Sequence, residues 1–182
     1  MIDPDQLPVH DEKSGRVHVL IDTPAGSRNK YKYDRTLGTF RLSRVLPAGS
    51  EFPYDFGSIP QTRAADGDAL DVLVIGLAPS FPGCVVTARL IGVLHAEQTE
   101  GGHRIRNDRL LAVAETEVNE ASVTELEQLG EDTLRDIEHF FESYNRRQGR
   151  EFRMTGRDGR RAAETLLEEA VRSFRSEQGG SR

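Results

Sequence analysis

Hydrophobic and polar positions divide the chain into a strand-rich first part and a helical second part. Short runs broken by Gly and Pro predict strands at 17–21, 29–34, 39–45, 70–75, 84–94 and 109–114. From about residue 123 the period becomes helical, with two amphipathic stripes: Leu134, Ile137, Phe141 and Tyr144, then Ala163, Leu166, Leu167, Ala170, Val171 and Phe174. Strands that precede helices, without alternating with them, predict an α+β fold built on a sandwich or a small barrel.

The pattern indicates one domain over residues 1–182, in which 1–14 form a polar arm and 176–182 a flexible tail. Gly149 is expected to end the first helix, and Asp158 to cap the second. No apolar run is long enough to span a membrane, and the acidic first residues do not form a secretory signal. The single cysteine, Cys84, fits a reducing compartment, so a cytoplasmic protein without a membrane partner is expected.

Three aspartates directly precede an apolar strand and are the strongest chemical signal in the chain. Asp66, Asp68 and Asp71 lie within six residues, and alternation turns Asp71 toward the same face as Leu73. An inward carboxylate is costly unless it is paired or bound to a cation, and converging carboxylates favour a hard ion such as Mg²⁺. An EF-hand is excluded because Leu70 occupies a ligand position. A solvated acidic turn is the alternative.

A basic group accompanies the acidic one. Lys30 and Lys32 share one face of a predicted strand, and Arg44 lies on the next strand. A phosphate substrate requires this combination, with a metal on one side and Lys or Arg on the other. Ordinary exposed lysines are the alternative.

At this point the chain resembles the family I soluble inorganic pyrophosphatases. Residues 66–74 (DGDALDVLV) are similar to the family signature D-G-D-P-x-D-V-L-V, with Ala69 at the proline. Further blocks match in the same order: 22–24 (DTP), 29–34 (NKYKYD), 43–45 (SRV), 52–60 (FPYDFGSIP), 81–85 (FPGCV), 90–94 (LIGVL) and 139–144 (HFFESY). The resemblance covers about residues 17–175. It implies an OB-like closed barrel of five strands flanked by two C-terminal helices, and a homo-oligomer, often a hexamer.

The resemblance also implies a role for each candidate residue. Asp66, Asp71 and Asp22, which replaces a glutamate, correspond to metal ligands for Mg²⁺ or Mn²⁺. Asp68 corresponds to the residue that helps to deprotonate the attacking water. The substrate phosphates would be bound by Lys30, Arg44, Arg109 and Tyr144. Lys32 joins this set through the strand alternation that places its ammonium on the face of Lys30, not through the resemblance. Of these, Arg109 replaces a lysine, which keeps the charge but changes the geometry.

Six positions depart from the family pattern in groups that hold metal or phosphate: Lys32, Phe52, Phe56, Gln98, Asn107 and Asn145. Lys32 replaces a metal-site glutamate, and Asp22 is its expected ion-pair partner. Gln98 and Asn107 replace aspartates that hold metals, and Asp108 is expected on the other face of its strand. The half of the site that holds metal and water is retained, and the rest is rewritten.

Three functions are consistent with these residues. The first is Mg²⁺-dependent hydrolysis of pyrophosphate to two phosphates by a metal-bound water, which makes the protein an inorganic diphosphatase. The second keeps the fold but acts on a related small phosphoanhydride, or binds a phosphorylated ligand without turnover. The third is an OB-type nucleic-acid module, because aromatic residues alternate with lysines at 30–33. The net charge of the chain, -6, disfavours a nucleic-acid partner.

Overall fold

The structure is a computed structural model that describes residues 3–76, 78–115 and 123–179. Within these ranges the chain forms nine strands: β1 (Val17–Thr23), β2 (Asn29–Asp34), β3 (Thr39–Val45), β4 (Asp55–Ser58), β5 (Asp71–Ile75), β6 (Val85–Glu100), β7 (His103–Arg106), β8 (Arg109–Ala114) and β9 (Glu151–Gly159). Helix α1 (Glu131–Arg146) precedes β9, and helix α2 (Arg160–Gly179) follows it. Two short 3-10 turns lie at Pro4–Gln6 and Leu126–Leu129.

Five strands form a closed ring. They are neighbours in the order β1, β4, β5, β8 and β6, and β6 pairs back with β1. The β5–β8 pairing is parallel, whereas the other four pairings of the ring are antiparallel. The long β6 continues past the ring, where it also pairs with β7 and β9, while β2 and β3 form a separate hairpin. The α+β, OB-like fold with two C-terminal helices is therefore confirmed.

Alternate side chains of the central strands contribute to two apolar clusters. Val72 of β5 packs in a cluster that includes Leu167 of α2, whereas Leu73 packs in a second cluster with Ile137 and Phe141 of α1. Both faces of β5 are thus buried. This is why the sequence there is a continuous apolar run instead of an alternating one.

Three strands were missing from the sequence prediction. β4 is short and contains Gly57, where a Cβ atom would collide with the Leu20 carbonyl oxygen because β1 passes so closely. β7 and β9 carry mostly polar and charged residues and are largely exposed. β6 also extends beyond the predicted end at Leu94 to Glu100. Hydrophobic pattern alone does not detect strands of this kind.

The helix boundaries and the termini also differ from expectation. Helix α1 ends at Arg146, three residues before Gly149. The prediction that Asp158 caps α2 is wrong, since Asp158 lies in β9 and its carboxylate pairs with His95. Residues 176–179 of the expected tail are helical, and 180–182 lie outside the described residues. None of the described helices is long and apolar enough to cross a membrane.

The predicted polar arm is partly packed against the fold. Val9 is buried in the core, and His10 forms an isolated β-bridge with Val17. Arg35, from the turn between β2 and β3, pairs with Asp5 at 2.6 Å. The arm therefore lies against the hairpin.

Candidate active site

One cleft of about 430 Å³ collects every residue that the sequence analysis assigned to metal, catalysis or phosphate. Its walls come from β1, the β2–β3 hairpin, the loop before β5, the start of β8 and the end of α1. The nine predicted residues that line it are Asp22, Lys30, Lys32, Arg44, Asp66, Asp68, Asp71, Arg109 and Tyr144. Residues separated by more than 100 positions in sequence are therefore brought to one surface.

The acidic loop is held in a tight turn by its own backbone. Gly67 has a φ of +84°, a conformation that favours glycine, and its N–H donates to the Ala64 carbonyl at 3.0 Å. The Ala64 N–H donates to the Asp68 carbonyl at 2.8 Å, and the Asp68 N–H donates to Asp66 Oδ1 at 3.1 Å. Asp71 follows as the first residue of β5. The loop thereby places three carboxylates at the start of β5.

Arg63 connects this loop to α2. Its guanidinium donates to the Gly67 carbonyl and pairs with Glu177 at 2.8 Å, and Arg63 itself lines the cleft. Arg63 is not among the predicted site residues. Its position three residues before Asp66 was the available signal.

Asp71 is paired with Arg109. The Arg109 Nη1 atom lies 2.8 Å from Asp71 Oδ2, and the arginine side chain is only 9% exposed. The guanidinium lies over the rings of Phe141 and Phe152, with 5.6 and 5.4 Å between the guanidinium carbon and the ring centroids. Asp71 is turned toward the cleft as expected, and Arg109 partners its inward charge.

Lys32 is paired with Asp68, which corrects the expected partner. The Lys32 Nζ atom lies 2.9 Å from Asp68 Oδ2, and both side chains are more than half exposed. Desolvation acts to lower the Lys32 pKa. The Asp68 hydrogen bond and the charges of Asp68, Asp71 and Asp22 outweigh it, so the pKa is raised. Asp22 therefore interacts with Lys32 only through its more distant charge.

Two carboxyl groups of the cleft bind protons more tightly than usual. Burial, aided by the Asp71 charge, raises the pKa of Asp22 to about 7, although Lys30 and Lys32 oppose the shift. Burial also raises the pKa of Asp66; the Asp68 N–H opposes this shift, while the Asp71 and Asp68 charges add to it. A nearby cation would stabilise both carboxylates in their charged form.

A hard divalent ion fits this donor set. Asp22, Asp66 and Asp71 supply carboxylate oxygens, which Mg²⁺ prefers, and burial raises the pKa of the first two, a shift that a bound cation would offset. Among the described residues, no three His, Cys, Asp or Glu side chains form a ready-made metal group. Arg109 and Lys32 each contact one carboxylate of the cluster.

The phosphate-binding candidates lie across the cleft. Lys30 and Arg44 face each other in the β2–β3 register, which places both on one side of the hairpin. The Lys30 Nζ atom lies 5.2 Å from the ring centroid of Phe56 and 5.4 Å from that of Tyr144. Phe56 is only 3% exposed, and Phe52 packs beside it at 5.4 Å between centroids. Such burial suits a phenyl ring, which needs no hydrogen-bond partner.

The replaced metal positions form a neutral amide pair behind Arg109. The Asn107 Nδ2 atom donates to Gln98 Oε1 at 2.7 Å, and Arg109 donates to Asn107 Oδ1. Asp108 does not compensate, as it does not line the cleft. Its carboxylate accepts from the Ala96 N–H at 3.0 Å and pairs with His95.

Two positions near the end of α1 complete the comparison with the sequence analysis. Asn145 is buried, and its Nδ2 donates to the Phe141 carbonyl within the helix at 2.8 Å, so it does not reach the cleft. Arg150 lines the cleft, although it is not among the predicted site residues. The turn after α1 carries it inward, which helical periodicity does not reveal.

Proteins of similar sequence and fold are named inorganic pyrophosphatases. The family model described as inorganic pyrophosphatase matches residues 19–175. The inorganic pyrophosphatase of Synechocystis sp. is 40% identical over 163 residues, which are 90% of this chain and 94% of that protein. The crystal structure of inorganic pyrophosphatase from Thermus thermophilus matches with a TM-score of 0.86 and 34% identity, covering 96% of this chain and 99% of that one. The chain therefore belongs to the inorganic pyrophosphatase family, which confirms the resemblance.

Proposed function

We propose that the protein is an inorganic diphosphatase that hydrolyses pyrophosphate to two phosphates with Mg²⁺, or with Mn²⁺ in its place. The single observation that carries this proposal is the cleft itself, in which the four predicted aspartates face the four predicted basic side chains and a tyrosine. A phosphoanhydride needs such an arrangement, because a cation and basic groups neutralise its charge while a base activates water. Membership of the family supports the same activity.

Each residue has a specific task in this reaction. Asp22, Asp66 and Asp71 would hold the ion, which supplies charge neutralisation and acidifies water when bound. Lys30, Arg44, Arg109 and Tyr144 hold the phosphate oxygens. Asp68 accepts a proton from the attacking water, whose oxygen bonds to one phosphorus. The bridging P–O bond breaks, and its electron pair leaves with the second phosphate.

Lys32 supports both partners of this reaction. Its ammonium stays charged because its pKa is raised, and it lies against the Asp68 carboxylate. This contact positions the Asp68 carboxylate, which is the proposed proton acceptor. The same exposed ammonium is close enough to the cleft to contact a substrate phosphate, so Lys32 is a phosphate ligand as well.

The replaced ligands favour one second candidate. Lys32, Gln98 and Asn107 bring no carboxylate to the cleft, so the cleft can hold fewer ions. The second candidate is therefore hydrolysis of another phosphoanhydride, or binding of a phosphorylated ligand without turnover. Phosphate release from pyrophosphate, tripolyphosphate and nucleoside triphosphates, each with and without Mg²⁺, tests both candidates. The highest kcat/KM for pyrophosphate supports the first. Turnover of another member alone, or of none, supports the second.

We also propose that the chain acts as a single domain in a cytoplasmic homo-oligomer, and as a hexamer by analogy with the family. The exposed apolar side chains support an interface, since Leu37 and Leu42 of the hairpin and Phe81 are each more than half exposed. Light scattering of the purified protein measures the number of copies. A monomer at micromolar concentration would contradict this proposal.

Mg²⁺ is expected to raise the melting temperature of the protein, and Asp66→Asn to remove most of that increase. An ion that binds only the folded state stabilises it by about 2.7 kcal/mol when its concentration is 100 times the Kd. Thermal melts at increasing Mg²⁺ measure the effect. Asp136→Asn, on an exposed face of α1 away from the cleft, is the matched control and should respond like wild type. A wild-type melt that ignores millimolar Mg²⁺ would show that the acidic loop is merely solvated.

Lys32→Glu is expected to raise the number of divalent ions bound per chain. The substitution removes the ammonium from Asp68 and adds a carboxylate to a cleft that already contains Asp22 and Asp71. Adding Asp22→Asn should abolish the extra binding. Isothermal titration with Mg²⁺ gives the stoichiometry, and Lys13→Glu in the N-terminal arm is the charge-matched control. An unchanged stoichiometry in Lys32→Glu would mean that position 32 does not contribute to the metal site.

A further inference from the structure

A second cavity, of about 530 Å³, lies beside the catalytic cleft. It is formed between the end of α1, the start of β9 and the β6–β7 hairpin. Three glutamates and Phe152 line it, together with four arginines: Arg104, Arg146, Arg150 and Arg153. The proposed reaction with pyrophosphate uses none of these side chains.

The charges of this cavity are unevenly satisfied. Arg104 and Arg153 share the carboxylate of Glu97, at 3.9 and 3.4 Å. The Glu142 carboxylate accepts from the Met154 N–H at 3.2 Å. Arg146 and Arg150, by contrast, have no ion-pair partner among residues 3–76, 78–115 and 123–179. Two guanidinium groups are therefore available to an anion.

The cavity and the catalytic cleft share one lining residue. Arg150 lines both spaces. Phe152 backs Arg109, whose guanidinium lies 5.4 Å from the ring centroid and also pairs with Asp71 in the cleft. Arg150 thus borders both spaces, whereas Arg146 borders only the second cavity.

We propose that this cavity binds the outer phosphates of an inorganic polyphosphate longer than pyrophosphate, with tripolyphosphate as the shortest substrate. Guanidinium groups suit this role because they bind phosphate oxygens bidentately. Phe152 already has Arg109 over its ring, which favours an inorganic chain over a stacked nucleobase. The proposal rests on the hydrolytic function proposed above and names a further substrate for the same site.

The reaction follows the same chemistry as pyrophosphate hydrolysis. The terminal phosphate lies in the cleft, and the oxygen of water bonds to its phosphorus while Asp68 takes a proton. The bridging P–O bond breaks, and its electron pair leaves on pyrophosphate, which Arg150 and Arg146 hold. Tripolyphosphate and water thus give phosphate and pyrophosphate, and the latter is itself a substrate.

The test compares kcat/KM for tripolyphosphate with kcat/KM for pyrophosphate in wild type, Arg146→Gln and Arg147→Gln. Arg147 is the matched control, because it is adjacent in sequence and exposed but contacts Ser50 at 3.3 Å instead of lining the cavity. The ratio should fall about tenfold in Arg146→Gln, the size expected for one charged hydrogen bond. It should stay at the wild-type value in Arg147→Gln. Equal ratios in the two variants overturn the proposal.

Two further measurements separate the outcomes. Adenosine triphosphate is assayed in parallel. If Arg146→Gln lowers kcat/KM for adenosine triphosphate as much as for tripolyphosphate, the choice of an inorganic chain is overturned. If neither substrate is hydrolysed, the proposed hydrolytic function is wrong. Isothermal titration then compares the Kd for tripolyphosphate with the Kd for pyrophosphate in each variant. A loss of tripolyphosphate binding alone in Arg146→Gln still supports the site.

Discussion

Asp68→Asn is expected to lower kcat for pyrophosphate by ~10²–10⁴-fold, the usual contribution of a positioned general base. The amide is nearly the same size as the carboxylate, and its oxygen can still accept a hydrogen bond from the Lys32 ammonium. The Asp68 side chain is 65% exposed, so the fold should hardly respond. Steady-state phosphate release, together with a thermal melt of the same preparation, separates chemistry from folding.

The control for this change is Asp136→Asn, which alters the same functional group on an exposed face of α1. It should retain the kcat of wild type. If Asp68→Asn keeps wild-type turnover of every phosphate substrate that wild type accepts, another group accepts the proton. A large loss of melting temperature in Asp68→Asn would instead show a structural role for the carboxylate.

Arg109→Ala is expected to lower the free energy of unfolding by about 3 kcal/mol, because it leaves a partly buried carboxylate without its partner. The substitution removes the 2.8 Å ion pair with Asp71 and the contacts with the rings of Phe141 and Phe152. Activity should fall too, since Arg109 lines the cleft and is a proposed phosphate ligand. Urea denaturation measures the change in stability.

Two further variants show which interactions of Arg109 account for the loss of stability. Arg135→Ala removes an exposed arginine whose pairing with Asp132 lies at the surface, and such pairs contribute only about 0–1 kcal/mol. Arg109→Lys restores the charge without the planar group, and is expected to recover only part of the stability. If Arg109→Ala costs no more than Arg135→Ala, the buried pair does not stabilise the fold.

The fold could be predicted where burial produces a clear pattern. β5 and β8 have both faces buried and are continuous apolar runs, while the two helices show one apolar stripe each. β4 and β9 could not be found in this way. Gly57 of β4 is required by the close passage of β1, and β9 is held by its register with β6. Both causes are contacts between strands that are far apart in sequence, which a local pattern does not contain.

The candidate site was predictable in its residues but not in their pairing. The spacing of the three aspartates and the alternation of Lys30 and Lys32 are local, and the family resemblance supplied the roles of Arg44 and Tyr144. The partners depend on which loops meet in space. Lys32 reaches Asp68, 36 residues away, and Arg109 reaches Asp71 from a different strand.

The central claim, that this cleft hydrolyses pyrophosphate with a divalent ion and Asp68, is tested most directly by one measurement. Phosphate release from pyrophosphate is recorded for wild type and Asp68→Asn, first in Mg²⁺ and then in excess chelator. We expect rapid release by wild type in Mg²⁺, and a loss of most of that release both in chelator and in the variant. Release that is the same with and without Mg²⁺, or no release by wild type in Mg²⁺, would contradict it.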